Sequence, residues 1–265
     1  MTAPTGKWED LAPRTLSGVA LAAVCLALIW AGGPFMLTLA ALAAGVMIWE
    51  LARLGAPERP REAVALGLIA ALCLAVPVML RGNPLLFALL AAPAAALALT
   101  VRGNRWVAAL YALALMAAAY GFVAFREGLG LAFVIWLILV VAASDLAGYF
   151  GGRALGGPKF WPRISPKKTW SGTVAGWLGA ALVGGAFVLW AGAPVWVVAL
   201  SVATAFAAQL GDIAESAVKR RAGVKDSSAI LPGHGGLLDR FDGMAGAAVF
   251  LLLWGFVLPW PDLAP

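Results

Sequence analysis

The sequence predicts an all-α, polytopic membrane protein with about nine transmembrane helices and a cytoplasmic N-terminus. Three observations carry this. Of 265 residues, 63% are hydrophobic and only 12% charged, against about 25% charged in a soluble domain. The mean hydropathy is +0.92. The apolar residues fall in nine stretches close to the ~20 residues that cross a bilayer, and the Lys and Arg residues fall almost wholly on one side of the arrangement those stretches imply.

With soft ends, the stretches are 13–31, 34–54, 63–80, 85–101, 106–125, 129–150, 172–191, 194–218 and 241–259. Most are apolar all round, so their helical faces are not legible. Gly- and Pro-bearing turns at 32–34, 81–84, 102–104 and 192–194 separate them. Pro77 and Pro93 lie inside spans, which membrane helices tolerate. With the N-terminus inside, the cytoplasmic segments hold 17 of the 19 Lys and Arg residues, and the other side holds only Arg81 and Arg126. That split follows the positive-inside rule. It also accounts for the net charge of +6 without any nucleic-acid partner. Cys25 and Cys73 both sit in apolar runs and form neither a metal-binding spacing nor a disulfide framework. Lys7, Arg14 and the apolar run to Trp30 resemble a signal peptide, but the many later spans favour a retained first helix.

The chain divides into residues 1–128, a set of transmembrane helices, and 129–265, a catalytic transmembrane region with two long cytoplasmic loops, 151–171 and 219–240. A two-helix hairpin over 172–218 joins the loops, so both open on one face. Long loops are where function concentrates. The pairs Gly148/Gly152, Gly172/Gly176 and Gly243/Gly246 suit close helix packing. Gly151-Gly152 with Gly156-Gly157 reads as a loop made to approach a phosphate.

The chemistry gathers at 209–242, where 34 positions hold 5 of the 13 acidic residues, 5 of the 19 basic ones and the sole histidine. Asp212 lies seven residues before Lys219, about 10 Å down its helix from the surface. Asp145 lies eight residues before Arg153, about 12 Å down its own. Acids at such depth face a wet cavity rather than lipid and need a partner. Gln209, Asp212 and Ser216 share one helical face, with Glu215 one residue off that line. Asp239 and Asp242 repeat the i, i+3 spacing at the start of the last helix. Carboxylates and a hydroxyl suit a hard cation such as Mg²⁺. The structural alternatives are a helix N-cap for Asp239 and an ion pair with a neighbouring basic residue for Asp212. Two basic clusters, Lys167-Lys168 and Lys219-Arg220-Arg221 with Lys225, could hold phosphates or simply touch anionic lipid. His234, flanked by glycines, suits a substrate contact better than zinc, since no second His or Cys lies nearby.

Ser216-x-x-Lys219-Arg220-(four)-Lys225-Asp226, followed by Pro232-x-His234-Gly235-Gly236-x-x-Asp239-Arg240-x-Asp242, resembles the signature of the phosphatidate cytidylyltransferases (CDP-diacylglycerol synthases) across all 27 positions. Upstream, Ser144-Asp145, Tyr149, Gly152-Arg153 and Gly156 resemble the family's Asp-to-Gly-Arg block. Ser165-Pro166-Lys167-Lys168-Thr169-Trp170 resembles its Lys-Lys-Thr block, and Gln209-Leu210-Gly211-Asp212 also fits. Ser171 stands where the family usually has Glu, so no acid role carries to it. Leu146 and Gly148 replace small or hydroxylated residues.

The resemblance implies that CTP and phosphatidate give CDP-diacylglycerol and pyrophosphate, with Mg²⁺ and a place for a second cation such as K⁺. It also implies a homodimer in a bacterial inner membrane, and the Lys and Arg distribution turns the active site to the cytoplasm. By family likeness Asp212, Ser216 and Asp239 are metal ligands, and Asp242 is read with them. Asp212, Asp239, Lys219 and Arg220 are the expected catalytic set. Asp145, Arg153, Lys167, Lys168, Thr169, Lys225, Asp226, His234, Gly235, Gly236 and Arg240 are expected to bind substrate. The rival readings are a CTP-dependent enzyme acting on another lipid, such as archaeol phosphate or a polyprenol, an inactive scaffold, and a transporter. A transporter should show paired halves with broken helices, and none is visible.

Overall fold

A computed structural model describes residues 11–80, 83–101, 104–230 and 235–263. It is a bundle of nine α-helices with one 3₁₀ segment and one small hairpin, among the described residues. The helices are α1 (Leu11–Ala31), α2 (Gly33–Gly55), α3 (Pro60–Met79), α4 (Ala92–Thr100), α5 (Arg105–Gly128), α6 (Gly130–Leu155), α7 (Trp170–Ala191), α8 (Val197–Arg221) and α9 (Leu238–Val257). Seven of them, α2, α3 and α5 to α9, are long and apolar enough to cross a membrane.

The expected span at 85–101 takes a different form. Residues Pro84–Ala91 are a 3₁₀ helix, and α4 continues from Ala92. Two prolines explain the change. Pro84 sits in the first turn, where Asn83 caps it by accepting from the Leu85 amide at 2.9 Å. Pro93 has no N–H to offer the Leu89 carbonyl, which instead accepts from Ala92 in the tighter i→i+3 pattern. A 3₁₀ helix rises about 2.0 Å per residue against 1.5 Å for an α-helix, so the pair still reaches about 30 Å.

Arg126, placed by sequence on the poorer side for positive charge, has a structural partner. Its Nε and Nη2 donate to the carbonyls of Ile29 and Trp30 at 2.7 and 2.9 Å. These carbonyls end α1, where a cation meets the negative end of the helix dipole. The next residue, Glu127, accepts from the Gly33 amide at the start of α2. Together the two side chains fasten the α1–α2 turn to the end of α5.

The loop 151–171 is shorter and more ordered than the sequence suggests. Helix α6 runs on to Leu155, so Gly151 and Gly152 are helical rather than part of a phosphate loop. There, an added Cβ at Gly152 would sit 2.9 Å from Thr169 Oγ1. Beyond α6 the chain forms an antiparallel hairpin, β1 (Lys159–Trp161) and β2 (Ser165–Thr169), paired Lys159 to Thr169 and Trp161 to Ser165. Thr169 then caps α7, accepting from the Gly172 amide at 3.2 Å.

Helices α6 and α7 touch backbone to backbone: a Cβ at Gly172 would lie 2.7 Å from the Gly148 carbonyl, and one at Gly179 would lie 2.8 Å from that of Ala143. Helices α8 and α9 cross as closely, at Gly211 and Gly246. Such contacts replace the hydrophobic drive that lipid cannot supply. They put the functional ends of four helices within reach of one another.

Candidate active site

Three side-chain groups meet where α6, α8 and α9 converge beneath the hairpin. The first is a cavity of about 450 Å³ between α6, α7, α8 and β2, lined by Asp145, Tyr149, Arg153, Lys167, Lys168, Thr169, Gln209 and Asp212 among others. Gln209 builds its floor. Its Nε2 donates to Ser144 Oγ at 3.4 Å and to the Thr173 carbonyl at 3.3 Å, and its Oε1 accepts from Trp177 Nε1 at 3.1 Å. One side chain of α8 therefore ties α6 and α7 together. Lys168 reaches down from β2 to Asp212, Nζ to Oδ2, at 2.5 Å, so Asp212 has the ion pair that its depth requires. Arg153 lies in the last turn of α6, donating to Tyr149 Oη at 3.0 Å.

The second group is acidic. Among the described residues, Asp212, Glu215 and Asp242 bring ligand atoms within 4.8 Å of one another. Ser216 Oγ donates to Asp212 Oδ1 at 3.3 Å. The Gly211–Gly246 crossing is what makes this possible, because Asp212 follows Gly211 and Asp242 lies one turn before Gly246. The Glu215 carboxylate is fully buried and, among the described residues, accepts no hydrogen bond of good geometry. It forms an ion pair with Lys219 Nζ, at 2.6 Å. A half-buried oxygen cluster with spare lone pairs matches the preference of a hard divalent cation.

The third group is the knot around Lys219. Its ammonium sits between Glu215 and Asp239, at 2.6 Å from each. Asp239 also accepts from the Ser227 amide and hydroxyl, both at 2.9 Å, and from the Gly236 amide at 2.8 Å. The structure thus gathers Asp212, Ser216 and Asp242 and holds Asp239 one ion pair away, through Lys219, where it ties the loop before α9 to that helix's first turn.

The remaining expected residues are placed unevenly. Arg220 turns from the cavity to the Val224 carbonyl, 3.3 Å away, and closes the end of α8. Lys225 and Asp226 are exposed on the loop, and Arg240 is exposed on α9. Gly235 has φ of 85°, and a Cβ there would approach Asp239 Oδ2 at 3.0 Å. His234 lies outside the described residues. Ser171 Oγ donates to the Gly156 carbonyl, a local tie within the hairpin junction.

Sequence reasoning passes over two residues. Glu215 reads only as lying off the Asp212 line, although its i, i+4 spacing to Lys219 marks a helical ion pair. Glu50 belongs to no motif, although an acid inside an apolar span demands a partner.

A membrane-embedded helical bundle with a cluster of oxygen ligands beside a basic cavity defines a class: an integral-membrane transferase for phosphorylated substrates. The model of the cytidylyltransferase family matches residues 12–258, and the chain belongs to that family. It is 38% identical to the phosphatidate cytidylyltransferase of Brucella suis biovar 1 (strain 1330), over 96% of this chain and 97% of that one. It is 43% identical to the phosphatidate cytidylyltransferase of Bacillus subtilis (strain 168), over 46% of each chain. With that of Haemophilus influenzae (strain ATCC 51907 / DSM 11121 / KW20 / Rd) it shares 38% identity, over 48% of this chain and 46% of that one.

Proposed function

We propose that this chain transfers the cytidylyl group of CTP to phosphatidate, giving CDP-diacylglycerol and pyrophosphate. Family membership supports the reaction type, and the names of full-length relatives support the lipid. The single observation that carries the site is the acid cluster of Asp212, Glu215 and Asp242 beside the Lys168-capped cavity.

No enzyme nucleophile is required. A phosphatidate oxygen is already anionic at neutral pH. It forms the new bond to the α-phosphorus of CTP as the bond from that phosphorus to the bridging oxygen of pyrophosphate breaks. The obstacle is repulsion between two anions, so the residues act by positioning and by charge. Lys167, Lys168 and Arg153 on the cavity wall hold phosphate oxygens. Lys219, held between Glu215 and Asp239, would exchange a carboxylate for the leaving pyrophosphate. Thr169 and Asp145 line the same wall, and Lys225, Asp226, His234, Gly235, Gly236 and Arg240 are kept as substrate-binding residues on their place in the motif.

The acid cluster fits a divalent cation, Mg²⁺ by preference. Asp212, Ser216 and Asp242 would hold it, with Glu215 alongside and Asp239 joining as Lys219 turns to substrate. Such an ion would neutralise charge at phosphorus. A second cation such as K⁺ and a homodimer, expected from the resemblance, belong to the same proposal. So do a cytoplasm-facing site, which rests on the distribution of Lys and Arg, and a bacterial inner-membrane location, which rests on the resemblance.

The test is purified protein in detergent–lipid micelles with CTP, Mg²⁺ and a panel of lipid phosphates that includes phosphatidate, archaeol phosphate and a polyprenyl phosphate. Pyrophosphate release should be fastest with phosphatidate and absent without a divalent ion. Faster release with another lipid would replace the substrate.

A further inference from the structure

Glu50 lies in α2, far in sequence from every motif of the site, yet its side chain is completely buried. Its Oε1 accepts from Ser228 Oγ at 2.5 Å and from the Leu237 amide at 2.9 Å, and its Oε2 accepts from the Leu238 amide at 2.7 Å. Leu237 and Leu238 open α9, and no side chain of that helix's own N-cap residue caps it. The first amides of a helix carry partial positive charge and lack internal partners. A carboxylate from α2 supplies those partners across 188 positions of sequence. Gly236 is pinned in the same place: a Cβ there would collide with Ser227 Oγ and Glu50 Oε1.

We infer that Glu50 is a positioning residue: it fixes the start of α9, and with it Asp239 and Asp242, against the acids of α8. The inference rests on the proposed metal-dependent reading of the site. Asp239 and Asp242 stand on the first two turns of the helix that Glu50 caps. Any drift of that end moves Asp242 away from Asp212 and Glu215. Glu50 touches no substrate and acts through the helix alone.

The experiment uses the full chain in detergent. Binding of Mn²⁺ is followed by the EPR signal of the free ion, and the Mg²⁺ dependence of pyrophosphate release is measured alongside. Glu50→Gln keeps the shape but turns one acceptor into a donor that faces another donor. Mn²⁺ affinity should fall about tenfold, the scale of lost support behind a metal ligand, and the Mg²⁺ half-saturation should rise to match. Ser228→Ala removes one of the three hydrogen bonds and should shift both about threefold in the same direction. Ser201→Ala breaks the buried hydrogen bond from Trp136 Nε1, about 16 Å along α8 from Asp212, and should shift neither. Folded Glu50→Gln with unchanged Mn²⁺ affinity overturns the inference. If that variant does not fold, unchanged affinity in Ser228→Ala overturns it instead. Parent protein that binds Mn²⁺ but does not use CTP and phosphatidate refutes the proposed reaction, while the Mn²⁺ comparison still decides the role of Glu50.

Discussion

Adding a single methyl group at Gly246 should disable the site while leaving the fold in place. A Cβ there would lie 2.5 Å from the Ala207 carbonyl oxygen, 2.8 Å from Gly211 Cα and 2.9 Å from Gly211 N. The approach to Gly211 Cα alone falls about 0.7 Å short of ordinary carbon–carbon contact at about 3.5 Å. The atoms it meets are backbone, so no rotamer change relieves it, and α8 must part from α9. Overpacking of this kind costs about 1–3 kcal/mol, which a bundle of this size can absorb. The separation falls next to Asp212 and one turn from Asp242. Since a displacement of about 1 Å in a reacting constellation can cost about 100-fold, Gly246→Ala should lose about 10- to 100-fold in kcat. The assay is pyrophosphate release beside a thermal melt. Gly185→Ala, at a position with nothing within 4 Å of the added carbon, is the control and should be neutral in both. Gly246→Ala at a near-normal rate would show that the crossing does not set the acids.

Three further outcomes rest on the same contacts. Asp212→Asn should abolish turnover while the protein still inserts and folds; a rate within tenfold of the parent would remove Asp212 from the metal set. Gln209→Leu leaves Trp177 Nε1 and the Thr173 carbonyl without their partner, so stability should fall by about 1–3 kcal/mol, read as a lower melting temperature. Arg126→Leu frees the end of α1 and should lower the melting temperature without changing KM for CTP; a changed KM would tie that distant end to the site.

The helices were legible because each bilayer crossing demands its own apolar run, and runs of that length are hard to miss. The form of the fourth span was not, because Pro93 decides between helix types through one missing N–H that hydropathy does not register. The β1–β2 hairpin was also hidden: Lys159–Trp161 and Ser165–Thr169 are too short and too polar to announce strands. At the site, charged residues in motifs pointed to Asp212, Lys168, Lys219 and Asp239, and the structure realises the alternative weighed for the first only, since the N-cap of α9 is Leu237 and not Asp239. Asp212 holds an ion pair with Lys168, and Asp239 gathers the amides ahead of α9. The partnership of Glu50 with α9 is a long-range contact between segments with no shared pattern, and no local rule reveals it. The contact that Arg220 makes is hidden for another reason. Arg220 belongs to a motif, but its position on the helix points it at the Val224 carbonyl.

The 188 positions between Glu50 and its amide partner on α9 also set a timetable for biogenesis. At translation speeds of about 5–20 residues per second, the acid emerges roughly 10–40 s before the amides that will receive it. Until then its hydration must come from the membrane surface, so α2 cannot settle to its final depth early. Helix α9 therefore seals α2, and the enzyme gains its working shape only once α9 has emerged.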